Sequence, residues 1–402
     1  MFELTGIAVQ QCAAEYISTV LGTLVAPEEV PEPLAVRTFE LLSRRDEING
    51  RRDAWGNWEG PDGKPGASFQ TAFLDREILE WCARVGKQKG GGLWPGAAKW
   101  AVCLTHDLDF VSRYARWREA GLRLRRLGRD GGGAGRFLRR VGGGLLRSVG
   151  GLRVDPWWCY EQWIALAQES GGHSTWLVFP QDVSNPHSWD SAISFSETIH
   201  FGGRKMRVCE MLKEVAAAGM EIGLHPSIHA ARDARQIAQQ RRQVEDAAAV
   251  AVTTVRQHFL RWDADCTPSQ QLAAGLEVDS TLGFNRGVGF RTGGCFPYRM
   301  PNPATGERSD LVQIPMQLMD VSIFSPDGLG CRTVDEATSV CLKIMNEVEA
   351  VGGVLVLNWH QNSISEENMM EVIRNVLQEA KRRHPWFASL GEVAEHWKQR
   401  RA

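Results

Sequence analysis

Residues 97–110 read AAKWAVCLTHDLDF, an apolar run that ends on two aspartates one residue apart. Ala101, Val102, Cys103 and Leu104 have the pattern of a short buried strand, bounded upstream by the turn-rich GGGLWPG of residues 90–96. Side chains alternate along a strand, so Asp107 and Asp109 are expected on one face. Two carboxylates that close resist joint ionisation unless a metal takes one of them or the pair moves a proton. On this stretch alone, a solvent-facing turn that happens to hold two acids explains the pattern as well. The downstream histidines change that weight.

From residue 157 onward, helix and strand patterns alternate. WWCYEQWIALAQES (157–170) reads as a helix, HSTWLVFP (173–180) as a strand, MRVCEMLKEVAAAG (206–219) as a helix ending on Gly219, and MEIGLHPS (220–227) as a strand running into a loop. VTTVRQHFLRW (252–262) is the next strand and QQLAAGL (270–276) a helix, while VGFRTGG (288–294) and LVQIPMQLMD (311–320) read as strand ends. VDEATSVCLKIMNEVEAVGG (334–353) is a helix, VLVLNWHQN (354–362) a final strand, and EENMMEVIRNVLQEAKRRHPWF (366–387) a long helix before a shorter one. Strands alternating with helices at this length imply an α/β fold with a parallel sheet closed, or nearly closed, into a barrel. Chemistry in such folds sits at the C-terminal strand ends, where Asp107, Asp109, His225, Arg256 and His360 all fall.

Residues 1–95 read as a separate, mostly helical capping region without recognisable chemistry, and 96–402 as the barrel. Val9, Cys12, Tyr16 and Val20 recur at helical spacing, further helices are expected near Ala35–Arg44 and Asp75–Val85, and NGRRDAWGNWEGPDGKPG (49–66) is turn-rich. The 402 residues are 43% hydrophobic and 23% charged, which fits an ordinary globular chain, but the net charge of −2 is unevenly spread. Between Arg113 and Arg153, twelve arginines face two acids, Glu119 and Asp130, so a basic Gly/Arg-rich insertion near +10 is set against a remainder near −12. Its interleaved Trp117, Leu122, Leu124, Phe137 and Leu138 fit an anionic membrane surface or a polyanion, or else a solvated insertion. No nucleic-acid motif accompanies the arginines. Nine scattered cysteines without CxxC spacing argue against both a disulfide framework and a thiolate zinc site. The N-terminal MFELTGIAVQQCAAEY lacks the basic start of a signal peptide and no window reaches eighteen apolar residues, so the expected location is cytoplasmic, with a peripheral place at the inner membrane face open to the basic insertion.

GLHPSIHA (223–230) places His225 and His229 four apart just beyond a strand end, a spacing that on a helical turn brings two imidazoles to one face for a divalent metal. Taken together and in order, LTHDLD, HPSIH, VRQHF and LNWH resemble the motifs of the polysaccharide deacetylases of carbohydrate esterase family four, over roughly residues 98–365. The resemblance implies a distorted (β/α) barrel of about seven parallel strands and a divalent metal, most often Zn2+, held by one aspartate and two histidines. It assigns Asp107 as base and Asp109 as ligand in a DxD variant of the first motif, with Leu108 where the family's second aspartate stands. His225 and His229 become the histidine ligands, and Arg256 the arginine that holds Asp107 ionised. His360 becomes the acid that protonates the departing amine, oriented by Asp279 or Asp320, which the sequence does not separate. Arg291, in GFRTGGCFPY (289–298), and Trp359 are substrate-side candidates.

The function implied is metal-dependent removal of an N-acetyl or other N-acyl group from an amino-sugar saccharide. The expected location and the basic insertion point to a lipid-linked or nucleotide-linked glycan precursor. Two alternatives stay open: a metal-independent hydrolase of another non-peptide C–N bond, and a non-catalytic saccharide-binding protein on the same barrel.

Overall fold

The apolar run after Trp100 forms strand β1 (Ala101–Leu108), buried at every position, with Val102, Leu104 and Leu108 in the core. Each such side chain contributes roughly 1.5–3 kcal/mol when fully buried. The computed structural model describes residues 5–53, 56–61, 63–90, 92–113 and 155–400, so the basic insertion at 113–153 lies outside the described residues except for Arg113. The other strands are β2 (Thr175–Val178), β3 (Thr198–Phe201), β4 (Arg204–Arg207), β5 (Glu221–Leu224), β6 (Thr254–Val255), β7 (Val278–Asp279), β8 (Tyr298–Pro301), β9 (Arg308–Gln313), β10 (Leu318–Met319), β11 (Val354–Asn358) and β12 (Trp386–Phe387).

One 10-stranded sheet runs in the order β10-β11-β1-β2-β5-β6-β7-β9-β8, with β12 paired to β1. All its pairings are parallel except β8 with β9. β1, the longest strand among the described residues, lies inside the sheet, with Thr105 paired to Asn358 of β11 on one side and to Thr175 of β2 on the other. The sheet curls into a half-barrel wrapped by helices, the expected distorted (β/α) barrel, and its strand ladder does not close between β10 and β8. Across that opening the segment after β7 supplies single bonds: Val354 donates to the Cys295 carbonyl at 2.9 Å, and Gly289 to that of Gln317 at 2.9 Å.

Helices form where the sequence carries an apolar face, and a few add a side-chain cap. Val334–Val351 is capped by Thr333, whose hydroxyl accepts from the Glu336 N–H at 3.2 Å, and is stopped by Gly352 at φ 81, a conformation that favours glycine. Glu367–Arg382 packs beside it and buries Met370, Ile373, Val376, Leu377 and Ala380. At the N-terminus, helices Gly6–Leu21, Glu32–Ser43 and Phe73–Arg84 share one continuous apolar core with the barrel. No helix among the described residues is long and apolar enough to cross a membrane, and all nine cysteines are unpaired.

Several elements differ from the sequence reading. MRVCEMLK is split, because Arg204–Arg207 pairs with Thr198–Phe201 in a hairpin before the helix Val208–Ala217 begins. VTTVRQHFLRW contributes only Thr254 and Val255 to the sheet, and VGFRTGG forms no strand. The helix Ala234–Ala248 has no counterpart in the sequence reading, because its buried face is thin, with Ile237 and Val244 among glutamines and arginines.

Candidate functional site

The C-terminal ends of β1, β5, β6, β7, β10 and β11 converge, and each delivers a polar side chain. Alternation along β1 sends His106 outward under Trp163 and Trp176, while Asp107 and Asp109 both turn inward toward His225 Nε2, at 3.8 and 3.3 Å. Asp107 is 2% exposed and fully engaged. Its Oδ1 accepts from Arg256 Nη1 at 2.9 Å and its Oδ2 from Asn358 Nδ2 at 2.7 Å. Burial by itself would raise this carboxyl, but Arg256, His225, His360 and the Asn358 amide outweigh it and hold it well below the usual carboxylate range. Arg256 is fixed in turn by Thr105 Oγ1 at 2.8 Å and by the Ser280 carbonyl at 3.0 Å.

Three side chains could hold a cation. One donor atom from each of Asp109, His225 and His258 lies within 4.8 Å of the others. Both imidazoles are pre-set for that role. His225 Nδ1 donates to the Arg256 carbonyl at 2.6 Å and His258 Nδ1 to Asp190 Oδ1 at 3.1 Å, so each Nε2 lone pair faces Asp109, at 3.3 and 3.6 Å. Burial lowers the His225 pKa and favours its neutral, ligating form. Asp109 Oδ1 is buried and accepts no hydrogen bond. A buried carboxylate oxygen without a hydrogen bond, aimed at by two imidazole lone pairs, fits a divalent ion with a preference for nitrogen and oxygen donors.

His229 does not join this set. Pro226 disfavours a helical His225, Ser227 is extended and the 3-10 turn begins only at Ile228, so the two histidines never share a helical face. His229 is exposed, with Nδ1 donating to the Asn185 carbonyl at 3.2 Å. His258 stands in its place, and the available signal was a histidine two residues past Arg256 at the next strand end.

His360 Nε2 lies 4.0 Å from Asp107 and 3.7 Å from Asp109. Of the two acids the sequence left open, Asp320 orients it: Oδ1 accepts from His360 Nδ1 at 2.7 Å, and Oδ2 from the His360 N–H at 2.9 Å and from the Ser363 hydroxyl. Burial would lower this imidazole, but the Asp320 charge and hydrogen bond raise it to about 10, with help from Asp109 and Asp107. Asp279 is instead bonded to Thr281, and burial raises its pKa to about 6. The substrate-side expectations also change. Arg291 is 1% exposed and bidentate on Glu47, at 2.8 and 2.6 Å, while Trp359 is fully buried with its indole N–H on the Met369 carbonyl at 3.1 Å. Both side chains are buried and held by partners outside the Asp107, Asp109, His225, His258 and His360 group.

Several solved structures align with this chain. One from Mycobacterium smegmatis, assigned as a polysaccharide deacetylase, aligns with a TM-score of 0.51 at 21% identity, over 77% of this chain and 93% of that one. Another from Pseudomonas aeruginosa PAO1, also assigned as a polysaccharide deacetylase, has a TM-score of 0.47 at 15% identity, over 78% and 96% of the two chains. An allantoinase aligns with a TM-score of 0.47 at 14% identity, over 78% and 95%. No family model matches the sequence, and no curated protein matches it.

Proposed function

We propose that this chain is a metal-dependent hydrolase that removes an N-acetyl group from an amino-sugar saccharide. The observation that carries the reading is a carboxylate locked by an arginine that faces an imidazole locked by a second carboxylate. Asp107 is held ionised by Arg256, and His360 is held protonated by Asp320, 4.0 Å apart beside the Asp109, His225 and His258 donors. Groups pushed apart in this way mark the base and the acid of a site.

Asp109, His225 and His258 would hold the ion, with Zn2+ proposed because two imidazoles and a carboxylate are a common zinc donor set. Bound there, a divalent ion supplies Lewis acidity toward water and the amide oxygen. The rest falls to the chain. Asp107 accepts the water proton at Oδ2, and Arg256 and Asn358 keep that carboxylate from turning away. His360 delivers the proton at Nε2 that lets the amine leave, while Asp320 fixes the ring and compensates its charge. On this reading residues 1–95 cap the 96–402 barrel.

At finer grain, we assign a lipid-linked or nucleotide-linked glycan precursor as substrate and an anionic membrane surface as the partner of residues 113–153, on the strength of the twelve arginines there. Elemental analysis and acetate release from N-acetylated saccharides test the main reading. A bound divalent ion is expected, with release abolished by chelation and restored by Zn2+. Full activity after exhaustive chelation would identify a metal-independent C–N hydrolase, and saccharide binding with neither ion nor turnover would identify a binding protein.

A further inference from the structure

We infer that Asn57, from the N-terminal region, is a positioning residue of the metal centre: with Asn285 it clamps the strained turn that aims His258. The inference rests on the metal-site reading above.

Phe259 and Leu260 have φ of 55° and 51°, the one place among the described residues where two consecutive non-glycine residues are left-handed. Neither side chain favours that conformation, so something must hold it. Phe259 directly follows His258, and its carbonyl accepts from Asn57 Nδ2 at 2.7 Å and from Asn285 Nδ2 at 2.9 Å. Those two bonds reward the carbonyl direction that the left-handed turn creates. Releasing them lets Phe259 relax to negative φ, which turns the peptide on which the His258 ring is carried.

The clamp is itself braced. The Asn57 N–H donates to Asp53 Oδ1 at 2.8 Å, and the Asp53 N–H donates back to the Asn57 carbonyl at 2.9 Å. Arg52 joins this loop to the far side of the turn, donating to the Gly56 carbonyl at 2.9 Å and the Trp262 carbonyl at 3.2 Å. Glu59 sets the second clamp, accepting from the N–H groups of Asn285 and Arg286 at 3.0 Å each. Asn57 and Glu59 are 1% and 2% exposed, so water does not stand in for these bonds. Core packing alone would not require two amides on one carbonyl next to a candidate ligand.

The test uses the full chain with Zn2+ in competition titrations and Co2+ as a spectroscopic probe, on Asn57→Ala, Phe259→Gly and the double variant. Asn57→Ala is expected to weaken Zn2+ by about tenfold or more, as loss of a ligand's supporting contact does, and to shift the visible bands of bound Co2+ while thermal unfolding stays cooperative. Glycine takes the left-handed turn without help, so in the Phe259→Gly background Asn57→Ala should cost less than about twofold. Equal losses in both backgrounds, or unchanged Zn2+ affinity in Asn57→Ala, overturn the clamp. If Asn57→Ala does not fold, Asn285→Ala removes the other amide and takes the same cycle. His258→Ala separates the two readings. If it loses Zn2+ while Asn57→Ala does not, only the clamp fails; if it keeps Zn2+, the metal-site reading falls with it.

Discussion

Asp107 and Asp109 are two residues apart on one strand end, yet their surroundings divide the work between them. Asp107 spends both oxygens on Arg256 and Asn358, whereas Asp109 leaves Oδ1 buried and without a hydrogen bond opposite two imidazoles. Asp109→Ala is therefore expected to lose bound metal and activity together. Asp107→Asn should keep the metal and lose about 10²–10⁴-fold in rate, the usual cost of removing a general base. Metal content and turnover measured on the same preparations decide it, and metal loss in Asp107→Asn alone would reverse the two roles. The histidines give a second contrast, with His258→Ala losing the ion and His229→Ala keeping both ion and rate, because only His258 points at Asp109. For His360 the amine leaving group is diagnostic. His360→Ala should slow an amide far more than an activated ester, whose leaving group needs no proton. Asp320→Asn should move the alkaline fall of the rate profile to lower pH, since Asp320 is the main support of the raised His360 pKa. An unmoved limb would show that another group sets it.

At the scale of elements, the sequence spoke where burial was continuous. β1 and β11 each open on an uninterrupted apolar run, Ala101–Leu104 and Val354–Leu357, and Val334–Val351 carries a cap, an apolar stripe and a glycine stop, so the sequence reading and the structure agree there. The failures share a physical cause, which is that tertiary partners were decisive. Arg291 looks like a substrate arginine until Glu47, 244 residues away, is found beside it. His225 and His229 look like a pair by spacing, but Ser227 is extended and the turn that carries His229 starts only at Ile228. His258 becomes a ligand candidate only when the fold brings it opposite Asp109 and onto Asp190, and no local pattern announces the left-handed turn at Phe259 that follows it. Short strands need such partners as well. Glu221 of β5 accepts from Thr175 of β2 at 2.7 Å, from Thr254 of β6 and from the Gly391 N–H at 2.9 Å, tying three strands to the last helix. Glu221→Ala is expected to destabilise the fold by about 1–3 kcal/mol, the range for a lost charged hydrogen bond, and to leave metal content unchanged. Denaturant unfolding alongside elemental analysis would show it, and an unaltered midpoint would mean that the strands hold without this anchor.

Across the whole molecule, Asp75 is one of the buried carboxylates at which the N-terminal region meets the barrel, with Glu47 and Glu59. Asp75, on the helix Phe73–Arg84, accepts from the Tyr16 hydroxyl of the first helix at 2.6 Å and from the Cys295 N–H of the barrel at 2.9 Å. Gly294 lets them approach, because a Cβ there would lie 2.0 Å from the Tyr16 hydroxyl and 2.6 Å from Asp75 Oδ1. Burial raises the Asp75 carboxyl to about 6, against the lowering pull of the Tyr16 and Cys295 hydrogen bonds. The unfolded value lies near 3.9, so the folded chain holds this proton more tightly. The contribution to stability is then fully present below about pH 4, is lost as pH rises through about 6, and stays flat above that. A difference of two pKa units corresponds to on the order of 3 kcal/mol. Asp75→Asn cannot titrate, so its unfolding free energy carries every other pH effect of the wild type but not this one. The Asn amide also loses the bond from the Cys295 N–H, but that offset does not vary with pH. Urea unfolding of both proteins between pH 4.5 and 7.5 should show the wild type losing ground to the variant up to about pH 6.5 and no further change beyond it. A wild-type minus variant difference that is constant across the range would mean that Asp75 is ionised throughout and that its charge is compensated at the junction.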